Sequence, residues 1–143
     1  MRYTAGMELR VSCSALSRDA REIREEVFVR EQGFCREFDE TDAQAAHLVL
    51  YADGEPAAVC RVYFSEGWHI GRLAVRKKFR GGGLGRELLR AAEAEIKRRG
   101  GKACSLCAQT RARGFYESCG YRFSCEAEAD EGVPHVRMEK RLG

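Results

Sequence analysis

Two segments of the chain repeat apolar residues at the spacing of an amphipathic helix. The first runs from Asp19 to Arg30, with Ser17 or Asp19 as its candidate cap, and its apolar positions are Ala20, Ile23, Val27 and Phe28. The second follows a glycine cluster and ends at Gly100-Gly101, and its apolar stripe is Leu84, Leu88, Leu89, Ala92 and Ile96. Because this spacing places the side chains on one face, both segments are predicted to be helices that pack on a core.

Runs rich in β-branched and aromatic residues predict the strands. The runs 47–51 and 56–64 flank Asp53-Gly54, a dipeptide typical of a hairpin turn. Further strands are predicted at 68–75, 103–108, 121–125 and 135–141, and a short helix at about 112–118. The order is a helix, three strands, the helix after the glycines, a strand, a short helix and two strands. This order predicts a single mixed α/β or α+β domain over residues 1–143.

Composition narrows the class of protein. The chain has 143 residues, of which 44% are apolar, so it is long enough to bury a core. Apolar runs stay shorter than 18 residues, and the start, MRYTAGMELRVS, lacks the apolar stretch of a signal peptide. We therefore expect a cytoplasmic protein that does not insert in a membrane. A net charge of +3 is too small to favour a nucleic-acid partner.

The seven cysteines are expected to be reduced, mostly buried thiols, because their number is odd, a secretion signal is lacking and the domain is of ordinary size. Cys104 and Cys107 form a CxxC, but they lie in a predicted strand, where residues three apart point to opposite faces. The sequence has neither a second CxxC nor a close pair of histidines to complete a zinc site. We therefore expect no metal.

The stretch Arg80–Gly85, RGGGLG, joins a predicted strand to a predicted helix. The first turn of a helix has unpaired N–H groups, and glycines let an anion approach the backbone. Gly85 is followed by Arg86-Glu87 rather than the Lys-Ser/Thr of a P-loop, and 103–109 lacks the acidic residue of a dinucleotide fold. The basic residues around the glycines favour a small polyanion instead; they are Arg76, Lys77, Lys78, Arg80 and Arg86.

Two motifs resemble the GNAT acyl-CoA N-acyltransferases. Arg80-x-x-Gly83-x-Gly85, after Leu73-Ala74-Val75 and before a leucine-rich helix, resembles motif A of that family. Phe115-Tyr116-Glu117-Ser118-Cys119-Gly120-Tyr121 resembles its FYxxxGF signature, and the two motifs occur in the family's order with one strand between them. The resemblance spans about residues 20–141. Residues 24–33, the DETDAQAAH segment and residues 131–135 are similar to its ElaA-like branch.

The resemblance implies a mostly antiparallel mixed sheet, flanked by helices, in which a parallel pair of strands, 68–75 and 103–108, splays apart. Acetyl-CoA would lie in that gap, with its pantetheine arm on free backbone groups of Leu73 and Val75 and its pyrophosphate on amides of 81–86. The Arg80 side chain would fix either the turn or the anion. The implied cofactor contacts are Leu73, Ala74, Val75, Arg80, Gly81, Gly82, Gly83, Leu84, Gly85, Arg86 and Tyr116.

The resemblance also implies direct transfer of an acetyl group to an amine of a small molecule or peptide. A backbone N–H near Val75 would stabilise the tetrahedral oxyanion, and Tyr116 would donate a proton to the leaving thiolate, unless its ring only packs. His135 is the preferred base; the alternatives are His69, His47, Glu31, Asp39, Glu40 and Asp42. An acyl-enzyme on Cys107 or Cys119 is disfavoured.

Other functions and features remain open at this stage. One is an acyl-CoA-sensing domain without turnover; a remote one is an acyl-homoserine-lactone synthase, suggested by Arg24-x-x-Val27-Phe28.

Segments 32–46 and 127–134 are expected to shape the acceptor pocket. The acidic DETD segment is either a solvated loop or an attractive surface for a cationic acceptor, and the fold permits a homodimer.

Overall fold

The computed structural model describes residues 6–143. In this part of the chain the strands are β1 (Met7–Cys13), β2 (Ala46–Ala52), β3 (Glu55–Phe64), β4 (Trp68–Val75), β5 (Ala103–Gln109), β6 (Arg122–Asp130) and β7 (Val133–Arg141). The α-helices are α1 (Arg18–Arg24), α2 (Leu84–Arg98) and α3 (Arg113–Ser118), and a π-helical segment, Glu25–Glu31, continues α1. Short 3-10 turns occupy Glu40–Ala43, Lys77–Phe79 and Thr110–Ala112.

The seven strands form one sheet in the order β1-β2-β3-β4-β5-β7-β6. Neighbours are antiparallel except β4 and β5, which are parallel and share a single register pair, His69 with Ser105. The other edge of β4 stays paired with β3 as far as Val75. The strands β4 and β5 therefore separate after His69, which confirms the predicted mixed sheet with a splayed parallel pair.

Helices cover both faces of this sheet. The predicted stripe of α2 packs on one face, where Leu84, Leu88, Leu89, Ala92 and Ile96 are each at most 1% exposed. Burying one leucine contributes about 1.5–3 kcal/mol, so this stripe anchors the start of α2 beside the glycines. On the other face, α1 and the π-helical segment bury the four apolar residues predicted for the first helix. The Ser17 side chain caps α1 by accepting a hydrogen bond from the Ala20 N–H.

The strand β1 was not predicted. It pairs with β2 along its whole length at the edge of the sheet, and Leu9 and Val11 are each 41% exposed. Its apolar residues Met7, Leu9 and Val11 do alternate, but polar residues on the other face and the lack of a bounding turn motif weaken the signal. The first predicted element of the chain is therefore corrected from a helix to a strand.

The acidic segment at 39–42 is neither a solvated loop nor free to attract an acceptor. Asp42 accepts hydrogen bonds from the buried Arg24 at 2.8 Å and from Arg61 at 2.8 Å, and Asp39 pairs with Arg61 at 2.7 Å. Glu37, just before this segment, is itself buried and bonds Arg24 at 2.9 Å. These carboxylates hold the segment against the core.

The expectation that the cysteines are mostly buried is wrong, because four of the seven are exposed: Cys13, Cys35, Cys107 and Cys125. Cys104 is buried and Cys107 is exposed, as the alternation of a strand predicts for the CxxC. Among residues 6–143, no group of three His, Cys, Asp or Glu side chains is arranged to hold a metal ion. None of the helices in this part of the chain is long and apolar enough to cross a membrane.

Candidate active site

The separation of β4 and β5 opens a cavity of about 610 Å³ at the end of β4. Its walls are the last residues of β4, the glycine turn with the start of α2, and the aromatic side of α3. Twelve of the lining residues are Val27, Gln32, Leu73, Ala74, Val75, Arg80, Gly81, Gly83, Leu84, Gly85, Phe115 and Tyr116. The two motifs of the sequence therefore meet around one space, which we call the donor cavity.

The glycine turn exposes backbone N–H groups to the donor cavity. Gly81 and Gly83 have φ of +85° and +86°, a conformation that glycine adopts without strain. Gly83 is the N-cap of α2 and provides no side-chain cap, so the first amides of the helix lack acceptors within the helix. At Gly85, a Cβ would lie 3.3 Å from Cζ of Phe115, so this wall has room for little more than hydrogen. The turn can therefore bind an anion through its main chain.

The Arg80 side chain fixes the turn. Its Nε donates to the carbonyl oxygen of Val75 at 2.8 Å, and its two terminal nitrogens bond the Glu31 carboxylate at 2.6 and 2.8 Å. This contact joins the end of β4, the turn and the π-helical segment. Both the N–H and the carbonyl of Val75 were expected to be free for a ligand. The carbonyl is instead bonded to Arg80.

Tyr116 lies at the inner end of the donor cavity. Its ring packs edge-on against Phe115 at 5.0 Å and Tyr121 at 6.0 Å between centroids. Burial, and next the nearby thiols of Cys60 and Cys119, raise the pKa of the Tyr116 hydroxyl well above its usual value. The hydroxyl is therefore protonated at neutral pH and can donate a hydrogen bond to a group in the cavity.

A second cavity of about 220 Å³ lies on the other side of Tyr116. It shares Gln32, Leu73, Ala112 and Tyr116 with the donor cavity, so the two spaces meet at the point where β4 and β5 separate. We call this second cavity the acceptor cavity; its charged side chains are Glu37, Arg72, Arg111 and Asp130, and His135 also lines it. Both predicted pocket segments, 32–46 and 127–134, contribute to its wall.

His135 is the histidine placed at the acceptor cavity. Its Nδ1 lies 2.8 Å from the carbonyl oxygen of Val133. Because a carbonyl only accepts, Nδ1 carries the proton of the neutral ring and Nε2 keeps a lone pair. His69 uses both ring nitrogens, toward Ser65 and Ser105, and His47 is buried with Nε2 at the Asp42 carbonyl. These two histidines have structural contacts instead.

The carboxylates considered as bases are mostly engaged. Glu31 is paired with Arg80, and the guanidinium of Arg61 lowers the pKa of Asp39. Burial by itself would raise the pKa of Asp42, but hydrogen bonds from Arg24 and Arg61 outweigh it and bring the pKa to about 2. Groups held as anions by arginines are weak proton acceptors at neutral pH.

Two glutamines of the site were missed by sequence reasoning. The amide nitrogen of Gln109, at the end of β5, donates to the side-chain oxygen of Gln32 at 2.8 Å. This bond spans the gap between the π-helical segment and β5, above the junction of the two cavities. An i to i+5 bond from the Gln32 N–H to the Val27 carbonyl, 3.0 Å long, marks the π-helical turn that places Gln32 there. Neither glutamine belongs to a recognisable motif.

The splayed strands, the main-chain anion site and the adjoining acceptor cavity define the class as acyltransferases that use an acyl-CoA donor. The chain belongs to the GNAT acetyltransferase family, whose domain model matches residues 15–142. A Bacillus subtilis (strain 168) protein assigned as an acetyltransferase is 39% identical over 128 residues, which cover 84% of this chain and 86% of the relative.

Solved structures agree with the family and with the predicted branch. A Lactobacillus plantarum protein assigned as an N-acetyltransferase superposes with a TM-score of 0.86 at 33% identity, covering 96% of this chain and 99% of the other. Escherichia coli ElaA superposes with a TM-score of 0.78 at 26% identity, covering 94% and 99%. The fold predicted from the motifs is thereby confirmed, and the ElaA-like resemblance is supported by a solved neighbour.

Proposed function

We propose that this protein is a cytoplasmic, single-domain N-acetyltransferase that moves an acetyl group from acetyl-CoA directly to an amine of a small molecule or peptide. The observation that carries the proposal is the meeting of the two cavities at Tyr116. One cavity has the main-chain anion site at its mouth, and the other contains a histidine with a free lone pair. A donor and an acceptor can thus approach each other from opposite sides of the gap.

The donor cavity fits acetyl-CoA, which supplies an activated thioester. The amides of 81–86 would hold the pyrophosphate, because the helix start and the left-handed glycines leave them open to an anion. Leu73, Ala74 and Val75 line the same cavity on the β4 edge that β5 leaves unpaired, so backbone groups of Leu73 and the N–H of Val75 would bind the pantetheine arm as an added strand. Arg80 would act by holding the turn rather than by binding the anion.

Two side chains would transfer protons during the reaction. An alkylammonium has a pKa near 10, so the acceptor must lose a proton before it can attack, and Nε2 of His135 would take it directly or through water. Tyr116 would give its proton to the leaving thiolate, because burial keeps its hydroxyl protonated. A backbone N–H near Val75 would stabilise the oxyanion of the tetrahedral intermediate.

The test is a thiol-release assay with acetyl-CoA and a panel of amines, peptides and polyamines. Tyr116→Phe should lower kcat by about 10²–10⁴-fold while the Kd for acetyl-CoA stays unchanged. Tyr63→Phe is the matched control, because Tyr63 stacks on His69 and lines neither cavity. An equal loss of affinity and rate in Tyr116→Phe would make Tyr116 a packing residue. Tight acetyl-CoA binding without thiol release from any amine would instead indicate an acyl-CoA-sensing domain.

A further inference from the structure

The charged groups of the acceptor cavity do not all neutralise one another. Glu37 is paired with Arg24 and with Arg72 at 3.0 Å, and Arg72 also reaches Asp39 at 3.2 Å. The charges of these groups are therefore paired within the protein. Arg111 and Asp130 also line the cavity at its solvent-exposed side, and within residues 6–143 neither side chain forms an ion pair.

We propose that the acyl acceptor is a small amine that also carries a carboxylate, and that Arg111 holds this carboxylate. The proposal rests on the proposed function and names the substrate class of the same site. A guanidinium binds a carboxylate through two parallel hydrogen bonds, which gives both affinity and orientation. An unpaired arginine in a cavity that must admit an amine therefore selects an acceptor with an anionic group.

The position of Arg111 suits this role. It lies in the 3-10 turn Thr110–Ala112 directly after β5, next to Ala112, which lines both cavities. A carboxylate on Arg111 would thus bring the rest of a small acceptor close to the junction with the donor cavity. Arg80, by contrast, is already paired with the Glu31 carboxylate through both terminal nitrogens.

Two residues of β6 and β7 provide the complementary charge in the same cavity. Asp130 ends β6, beside the turn that leads into β7, and His135 follows on β7. The turn is fixed because the Glu131 carboxylate accepts from the backbone N–H groups of Cys35 and Arg36, both at 2.9 Å. Asp130 would attract the ammonium group and His135 would take its proton, while Arg111 holds the carboxylate. The site thus matches both charges of an amino acid.

The size of the acceptor cavity supports a small ligand. Its volume of about 220 Å³ lies below the range of roughly 300–1,000 Å³ typical of sites for drug-sized ligands. A polyamine would place a second cation near Arg111, and a long peptide would exceed the space. Free amino acids and similar aminocarboxylates therefore fit better than either.

The experiment compares free amino acids with their carboxamides in the thiol-release assay, at a pH where both amines are deprotonated. Removing the carboxylate charge should lower kcat/KM on the order of 10- to 100-fold. Arg111→Gln should remove the preference for the acid over the carboxamide by raising the KM for the acid, with kcat and the KM for acetyl-CoA unchanged. Arg111→Lys should keep part of this preference. Arg113→Gln is the control, since Arg113 pairs with Glu117 on the surface and lines neither cavity.

Product binding separates this proposal from the proposed function. Calorimetry with N-acetylated amino acids requires no turnover, and we expect Arg111→Gln to weaken their binding while leaving the binding of N-acetylated carboxamides unchanged. Equal rates for acids and carboxamides, better rates for polyamines, or a preference that survives Arg111→Gln would overturn the inference. A failure of acetyl-CoA to bind would overturn the proposed function, and the calorimetry would still decide the role of Arg111.

Discussion

Replacing Arg24 by methionine tests how the segment that borders the acceptor cavity is held. Arg24 is fully buried in α1, where it bonds Glu37 at 2.9 Å and Asp42 at 2.8 Å and also donates to the Glu37 carbonyl at 3.1 Å. Methionine is unbranched like the stem of arginine, but it is shorter and has neither charge nor donors. The variant would leave two carboxylates in a poorly hydrated place with fewer partners.

The loss in the free energy of unfolding depends on the contacts that the two carboxylates keep in the variant. Removing one partner of a buried ion pair destabilises a protein by about 3–5 kcal/mol, and we expect about 3 kcal/mol for Arg24→Met because Arg72 and Arg61 still pair with the two carboxylates. The pKa of Asp42 agrees in sign, because burial alone would raise it and hydrogen bonds from Arg24 and Arg61 lower it to about 2.

The sign of the pH dependence is fixed by these shifts. The lowered pKa of Asp42 stabilises the fold fully above pH 3.8, and this contribution is lost as the pH falls through about 2. Burial raises the pKa of Glu37, so protonation in acid relieves its desolvation. Both effects predict that Arg24→Met is destabilised strongly at pH 7 and much less near pH 2.

Urea unfolding at both pH values measures this prediction. Arg18→Met on the same helix is the control, because the Arg18 side chain is 88% exposed and pairs only with Glu22 on the surface. We expect this control to change the free energy of unfolding by no more than about 0.5 kcal/mol. If Arg24→Met and Arg18→Met cost the same at pH 7, the buried network does not hold the segment.

Two further predictions concern the donor cavity and the cysteines. Gly85→Val should raise the Kd for acetyl-CoA at least tenfold, because a Cβ already meets the Phe115 ring at 3.3 Å and the added methyls enter the cavity. Isothermal calorimetry measures this Kd, and an unchanged value would argue against the turn as the binding site. In the native protein, a thiol reagent such as DTNB should modify Cys107 but neither Cys60 nor Cys104, both of which are buried. Rapid labelling of either buried thiol would contradict the packing described here.

The elements that apolar spacing determines could be predicted from the sequence. The stripe of α2 and the strands β2 to β5 and β7 depend on residues close together in the chain, and their observed bounds lie within two residues of the predicted ones. Strand β6 is longer than predicted, since it continues from Arg122 to Asp130 instead of ending at 125. The pairing of Arg24 with Glu37 and of Arg80 with Glu31 could not be predicted. These contacts join residues 13 and 49 positions apart, and charged residues in loops give no periodic signal of their partners.

Only part of the candidate site could be predicted from the sequence. The glycine turn and Tyr116 lie in local motifs, so the sequence pointed to them directly. The bond between Gln109 and Gln32 depends on a π-helical turn and on the splay of β5, which are features of the assembled fold. The unpaired state of Arg111 likewise depends on the assembled fold, which pairs Glu37 with Arg24 and Arg72 instead.

The central claim is that an acyl-CoA binds in the gap beside β4 with its pyrophosphate on the glycine turn. An NMR titration of the ¹⁵N-labelled protein with acetyl-CoA tests it most directly. We predict that the largest amide shifts fall in 81–86 and 73–75, and that they saturate together. If acetyl-CoA binds and these two segments keep their shifts while others move, the donor site lies elsewhere and the account is wrong.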